Sequence, residues 1–166
     1  MNLEKLTSEV IDLSREVATF IRVESQRFTE ASVESKSLNN LVSYVDKGAE
    51  QRFVDGLSKL LPEAGFIAEE GTGSRAAEFN WVIDPLDGTT NFIHGIPCYC
   101  TSVALMNGDD ILLGVVLEVT RDECFSAWKG GGAFLNGTPI RVSYRQTLVE
   151  SLLATGFPYD DFGQEA

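Results

Sequence analysis

Two stretches near the start of the chain carry apolar residues at helical spacing. In the first stretch the apolar positions recur at steps of four and three, which is one face of an amphipathic helix. These positions are Leu6, Val10, Leu13, Val17 and Phe20. We expect this helix over about residues 3–28. Residues 29–40 are polar without periodicity, which predicts a surface loop or hairpin.

A second helical stripe follows Asp46, and Ala49, Phe53 and Leu57 mark its apolar face. Proline disfavours a helical conformation in the residue before it, so this helix should stop ahead of Pro62. The next apolar run begins at residue 65, is much shorter and indicates a strand.

The second half of the chain alternates short apolar runs with tight-turn signals. Asn-Gly dipeptides at 107–108 and 136–137 favour two-residue hairpin turns, and the three consecutive glycines at 130–132 indicate another turn. Such neighbouring strands pair antiparallel. We therefore predict an α+β fold in which two N-terminal helices pack on one face of a largely antiparallel sheet. Its later strands are expected over about 98–106, 111–119, 124–129 and 139–143. Cys98 and Cys100 should be buried thiols on the same side of the first of these strands, and residues 152–159 should form a strand that runs into a turn.

Between these halves lies the segment 81–92, in which an apolar run leads into two aspartates and a Gly-Thr-Thr sequence. Proline has no backbone N–H, so we expect the strand to end near Asp84, just before Pro85. Gly88 permits a sharp turn, and Thr89 or Thr90 is suited to cap a short helix.

This arrangement predicts a cation site. Asp84 and Asp87 are only three residues apart, and two such charges repel unless a cation lies between them. Oxygen ligands suit Mg²⁺, and N–H groups at the start of a helix bind phosphate. The alternative is an ordinary acidic turn, since Asp, Pro and Gly are common turn residues.

Two further acidic positions are candidates. Asp46 stands near the start of the second helix, where a negative charge is favourable and capping is the simplest role. Glu69 and Glu70 follow the short strand that begins at residue 65, and a strand end can turn one of two adjacent side chains inward. From these residues alone, a surface acid is the simpler interpretation of Glu69.

Composition excludes several functions. The 166 residues are 43% hydrophobic and 23% charged, which is ordinary for one globular domain. A net charge of −12 argues against nucleic-acid binding through a basic surface. His94 is the only histidine, so a His-rich zinc site is excluded. The start of the chain carries no signal peptide, no apolar run could span a bilayer, and three cysteines suit a reducing compartment, so we expect a cytoplasmic protein.

The segment Asp84–Phe92, Asp-Pro-Leu-Asp-Gly-Thr-Thr-Asn-Phe, resembles the signature of the inositol monophosphatase family, the Mg²⁺-dependent, lithium-sensitive phosphatases. Two other segments agree with this resemblance. Glu69-Glu70 matches the family's Gly-Glu-Glu, with Ala68 in place of the glycine, and residues 156–159 match its Gly-Phe-Pro-Tyr.

The resemblance implies hydrolysis of a phosphate monoester by water that Mg²⁺ activates, most simply inositol 1-phosphate. A first Mg²⁺ would be held by Glu69, Asp84 and the Leu86 carbonyl, and a second by Asp84 and Asp87. Thr89, oriented by Asp46, would position the attacking water, which makes Glu69, Thr89 and Asp46 the implied catalytic residues. The implied substrate-binding residues are Glu69, Leu86, Asp87, Gly88 and Thr89.

The resemblance covers residues 1–166 but only the first part of the family's fold. We therefore expect one N-terminal α+β domain that binds metal and phosphate, with the C-terminal domain absent. The family's later Trp-Asp motif, which supplies a ligand for the second metal, has no match here, because Trp81 and Trp128 precede Val82 and Lys129. We expect one moderately bound Mg²⁺, a weak second site and low activity for this chain alone.

Several functions stay open. Related phosphatases act on 3′-phosphoadenosine phosphate or fructose 1,6-bisphosphate, and the first half of the fold does not separate them. The expected partner is a small phosphorylated sugar or polyol, with no membrane, and a homodimer is implied by resemblance. From another class, the chain could be a regulatory module that retains the metal site, such as a partner of the transcription machinery.

Overall fold

The structure is a computed structural model that describes residues 1–28, 33–37, 40–71, 73–76 and 78–155, with backbone alone at the described positions of 33–43. Its helices are α1 Leu3–Ser25, α2 Tyr44–Leu60 and α3 Thr89–Ile93. Its strands are β1 Val33–Ser37, β2 Asn40–Ser43, β3 Gly65–Ala68, β4 Phe79–Asp87, β5 Cys100–Asn107, β6 Asp110–Glu118, β7 Glu123–Trp128, β8 Gly132–Leu135 and β9 Thr138–Ile140.

Helix α1 begins where Asn2 caps it, since the Asn2 side chain accepts a hydrogen bond from the Lys5 N–H at 3.0 Å. The predicted apolar face is buried at Leu6, Val10 and Val17. The helix ends at Ser25, three residues earlier than the predicted end at 28. Helix α2 ends at Leu60, before Pro62, as predicted.

The main sheet has seven strands in the order β3-β4-β5-β6-β7-β8-β9. Every pair is antiparallel except β3 with β4, which run parallel. Hairpin turns follow Asn107 and Asn136, as the Asn-Gly signals predict. The predicted α+β class with a largely antiparallel sheet is therefore confirmed.

Both long helices pack on the same face of the sheet, α1 against β5, β6 and β7 and α2 against β4. The core between them is built from alternate residues of the central strands, such as Trp81, Val103 and Leu117, which are almost completely inaccessible to solvent. This packing fixes α2 directly over the strand that carries the two aspartates.

The predicted end of β4 near Asp84 is wrong. The strand continues through Pro85 to Asp87. Asp84 pairs with Ser102 and Asp87 with Cys100, so three steps on β4 match two on β5. The additional residue forms a bulge, which accommodates a proline because its ladder position needs no N–H donor.

Three smaller predictions have different outcomes. The stretch 29–40, predicted as a surface loop or hairpin, lies partly outside the described residues, and its described part belongs to the hairpin of β1 and β2, in agreement with the prediction. Cys98, expected as a buried strand thiol beside Cys100, is exposed and precedes β5. Residues 152–155, expected as a strand, have no regular structure. The remainder of that predicted segment, 156–159, lies outside the described residues.

Candidate functional site

The parallel pairing of β3 with β4 brings the predicted acidic residues together. Ala68 pairs with Ile83, so the residues that follow each of them, Glu69 and Asp84, lie at the same end of the two strands. Glu69 is exposed in the turn after β3, and Asp84 is half-buried on β4. Asp87 lies at the exposed end of β4.

Asp84 is the electrostatic centre of this group. Burial, followed by the charges of Glu69 and then Asp87, raises the pKa of the Asp84 carboxyl to about 7. A hydrogen bond shared with Glu69 contributes in the same direction, while a backbone hydrogen bond at Leu86 lowers the pKa. Within the described chain, Oδ1 of Asp84 is buried without a hydrogen-bond partner. Among the described residues, no positively charged group contributes to this pKa.

These features fit a hard cation. A buried carboxylate oxygen without a partner and two neighbouring carboxylates are an all-oxygen donor set of the kind that Mg²⁺ prefers. Among the residues that the structure describes, no three His, Cys, Asp or Glu side chains gather into a closed metal cage.

Thr89 links this end of the sheet to α2. Its hydroxyl lies 2.8 Å from Oδ1 of Asp46 and 2.9 Å from the Leu86 carbonyl oxygen. A hydroxyl has one proton, and a carboxylate is the stronger acceptor. Donation to Asp46 therefore leaves lone pairs of Thr89 Oγ1 and of the Leu86 oxygen available to other groups. The predicted contact between Asp46 and Thr89 is present.

Gly88 starts α3 in a left-handed conformation, with φ at 96°. A Cβ atom at this position would stand 3.0 Å from the Cys98 carbonyl oxygen and 3.2 Å from the Tyr99 Cβ. The prediction that Thr89 or Thr90 caps α3 is wrong, since Gly88 is the N-cap residue and makes no side-chain cap bond. The Thr89 hydroxyl is directed to Asp46 instead.

Cys100 lies beside Asp87, and sequence reasoning treated it only as a core thiol. Its Sγ is 3.7 Å from Oδ2 of Asp87, the residue opposite it in the β4–β5 register. Burial, followed by the charge of Asp87, raises the pKa of the Cys100 thiol to about 12. The thiol is therefore protonated at neutral pH and donates weakly to the carboxylate.

Sequence reasoning also missed Glu50. This α2 residue is completely buried, and its Oε2 accepts a hydrogen bond from the Glu70 N–H at 2.6 Å. The available signal was its spacing of four from Asp46, which places both carboxylates on one helix face. Asp46 is also buried, at 2% exposure.

Several known proteins resemble this chain. The model of the inositol monophosphatase family matches residues 2–164. The Nus factor SuhB of Pseudomonas aeruginosa is 45% identical over 82% of this chain and 52% of its own length. The inositol monophosphatase of Dictyostelium discoideum is 34% identical over 96% of this chain and 60% of its own length. A solved structure of an IMPase/NADP phosphatase complexed with Mg²⁺ and phosphate superposes with a TM-score of 0.73, at 26% identity, over 84% of this chain and 53% of that one.

The fold, two helices packed on one face of a largely antiparallel sheet, places this chain among the α+β proteins. It belongs to the inositol monophosphatase family. The chain spans about half the length of the relatives it matches. None of the helices in the described ranges combines the length and apolarity needed to cross a bilayer.

Proposed function

We propose that this chain forms the metal- and phosphate-binding part of a Mg²⁺-dependent phosphate monoesterase. The observation that carries the proposal is the Asp84 carboxylate, which is half-buried beside Glu69 and Asp87 and has one oxygen that no described residue hydrogen-bonds. Such an arrangement lowers the free energy of unfolding unless a cation binds. Groups that are unfavourable for stability in this way are common at binding sites.

Mg²⁺ would be held by Glu69, Asp84 and the Leu86 carbonyl, with Asp87 and Asp84 at a weaker second position. Bound there, the ion supplies Lewis-acid chemistry, neutralising charge on the phosphoryl group and making water more acidic. The Leu86 oxygen is compatible with this role, because it keeps a lone pair beside its contact with Thr89.

The chain's own residues then orient the reactants. Thr89 donates its proton to Asp46, so its oxygen accepts a hydrogen bond from water and fixes the direction of attack. The Gly88 and Thr89 N–H groups, at the start of α3, would bind phosphoryl oxygens. Glycine suits position 88, because L side chains rarely adopt a φ of 96° and a Cβ there would lie tightly against Cys98 and Tyr99. Substrate contacts are thus assigned to Glu69, Leu86, Asp87, Gly88 and Thr89.

Inositol 1-phosphate is the proposed substrate, supported by the name of the Dictyostelium relative. NADP is a second candidate, because a solved relative is named an IMPase/NADP phosphatase. Phosphate release from inositol 1-phosphate, NADP, 3′-phosphoadenosine 5′-phosphate and fructose 1,6-bisphosphate, with and without Mg²⁺, tests the order of preference. We expect slow, Mg²⁺-dependent turnover, fastest with inositol 1-phosphate.

A regulatory role is the second candidate function, and the name of the Pseudomonas relative, a Nus factor, favours it. Calorimetric titration with Mg²⁺ and Mn²⁺, combined with the phosphate-release assay, separates the two. Metal binding and Mg²⁺-dependent phosphate release that Asp84→Asn abolishes together support the hydrolase, whereas binding without phosphate release supports a regulatory module that retains the metal site. The absence of metal binding to a folded chain would favour a non-catalytic module.

A further inference from the structure

We infer that Glu50 is a positioning residue, which holds the Glu69–Glu70 turn in place so that Glu69 faces Asp84. This inference rests on the proposed metal site, although the contact itself stands on geometry. It assigns a role to a buried carboxylate that the proposed mechanism does not otherwise use.

The first observation is the contact between Glu50 and Glu70. Oε2 of Glu50 accepts the Glu70 N–H at 2.6 Å, and the Glu50 side chain is completely buried. A charge-assisted hydrogen bond shielded from water is stronger and shorter than an exposed one. The peptide N–H of Glu70 follows Glu69 directly, so this bond fixes the backbone from which the Glu69 side chain projects.

The second observation is the position of Glu50 on α2. Asp46 lies one helical turn earlier and accepts a hydrogen bond from Thr89, beyond the end of β4. Residues at i and i+4 share a helix face. One face of α2 therefore contacts both acidic segments. Glu50 accepts a hydrogen bond from the turn after β3, and Asp46 accepts one from the residue that follows the turn after β4.

This arrangement opposes the electrostatic repulsion between the acidic side chains. Glu69 is exposed in a turn, and the negative charges of Glu69 and Asp84 repel each other. Without an anchor the turn would relax away from β4 whenever no cation is bound. The bond to Glu50 keeps the backbone of the turn in place, so that cation binding requires side-chain adjustment alone.

The test uses three substitutions of Glu50 in the full 166-residue chain. Glu50→Leu removes the acceptor at similar volume, and Glu50→Asp keeps the charge but withdraws it by one carbon. Glu50→Gln keeps an acceptor oxygen at the original reach. We expect weaker Mg²⁺ binding by about 10- to 100-fold in the Leu and Asp variants, with most of the affinity retained in the Gln variant.

Backbone amide exchange at Glu70 is the readout that does not depend on metal. Exchange should be slow in the native chain and at least about tenfold faster in Glu50→Asp. Two control variants separate positioning from stability and from charge. Val10→Ala truncates the core on α1, and Asp55→Asn removes an exposed α2 carboxylate. Val10→Ala should lower the melting temperature, and both controls should leave Mg²⁺ affinity and Glu70 exchange unchanged.

The outcomes are distinguishable. Folded Glu50→Asp or Glu50→Leu chains with native Mg²⁺ affinity and native Glu70 exchange overturn the inference. Rapid Glu70 exchange in the native chain also overturns it, even if every substitution at Glu50 prevents folding. If the native chain binds no Mg²⁺, the proposed function fails, and Glu70 exchange still decides whether Glu50 anchors the turn.

Discussion

Thr89 Oγ1 lies 2.8 Å from Oδ1 of Asp46, although 43 residues separate the two along the chain. The contact joins the first turn of α2 to the end of β4. It therefore acts both as a tertiary link and as the means of orienting the Thr89 hydroxyl.

Replacing Thr89 by valine removes the hydroxyl at nearly constant volume. A hydrogen bond to a charged acceptor is lost, so we expect the free energy of unfolding to fall by about 1.5–3 kcal/mol. Thr89→Ser retains the hydroxyl and should lose less. Urea unfolding monitored by tryptophan fluorescence measures both. Equal losses for Val and Ser would show that the methyl group, and not the hydroxyl, stabilises this turn.

The pKa of Asp84 predicts an unusual dependence of stability on pH. Its folded value of about 7 lies above the ordinary 3.8. Between about pH 4 and pH 7 the folded chain holds a proton that the unfolded chain has released, so this contribution to stability falls as pH rises. Without Mg²⁺, Asp84→Asn should therefore flatten the pH profile and raise the melting temperature at pH 8.

Asp109→Asn is the matched control for that experiment, because Asp109 is exposed in the β5–β6 turn. Its pH profile should follow that of the native chain. An Asp84→Asn variant that is less stable than the native chain at pH 8 would contradict the electrostatic description of the site.

Mg²⁺ binding should depend on pH for the same reason. The ion and the proton compete for the Asp84 carboxylate, so affinity should increase from pH 6 to pH 8 and binding at pH 6.5 should release a proton. Titration calorimetry in two buffers of different ionisation enthalpy measures the proton directly. Binding at pH 6.5 with the same apparent enthalpy in both buffers would exclude Asp84 as a protonated ligand.

Gly88→Ala and Gly95→Ala form a matched pair. Both glycines have positive φ, at 96° and 66°, but only at Gly88 would a Cβ meet neighbouring atoms. Gly95→Ala should cost about 1–2 kcal/mol of unfolding free energy for backbone conformation alone. Gly88→Ala should cost more, since it also collides with Cys98 and Tyr99. Chemical denaturation gives both values, and equal costs would argue against close packing at Gly88.

Much of the fold followed from local patterns. The stripes of α1 and α2 and the Asn-Gly turns were sufficient because they reflect short-range periodicity and backbone conformation. The predicted end of β4 before Pro85 was wrong, because the strand forms a bulge against β5 at which no N–H donor is needed. The predicted start of β5 at Cys98 was wrong as well. The strand begins at Cys100, because pairing with its neighbours and not composition sets its start.

The sequence by itself determined the helices, the hairpin turns, the α+β class and the identity of the acidic residues, because each depends on neighbours a few positions away. The tertiary structure decided which acidic side chains lie close to one another and to their hydrogen-bond partners. Parallel pairing of β3 with β4 placed Glu69 near Asp84, and packing of α2 over β4 placed Asp46 at Thr89 and Glu50 at Glu70. Local sequence spacing does not encode these distances, since they arise when a helix and two strand ends share one core.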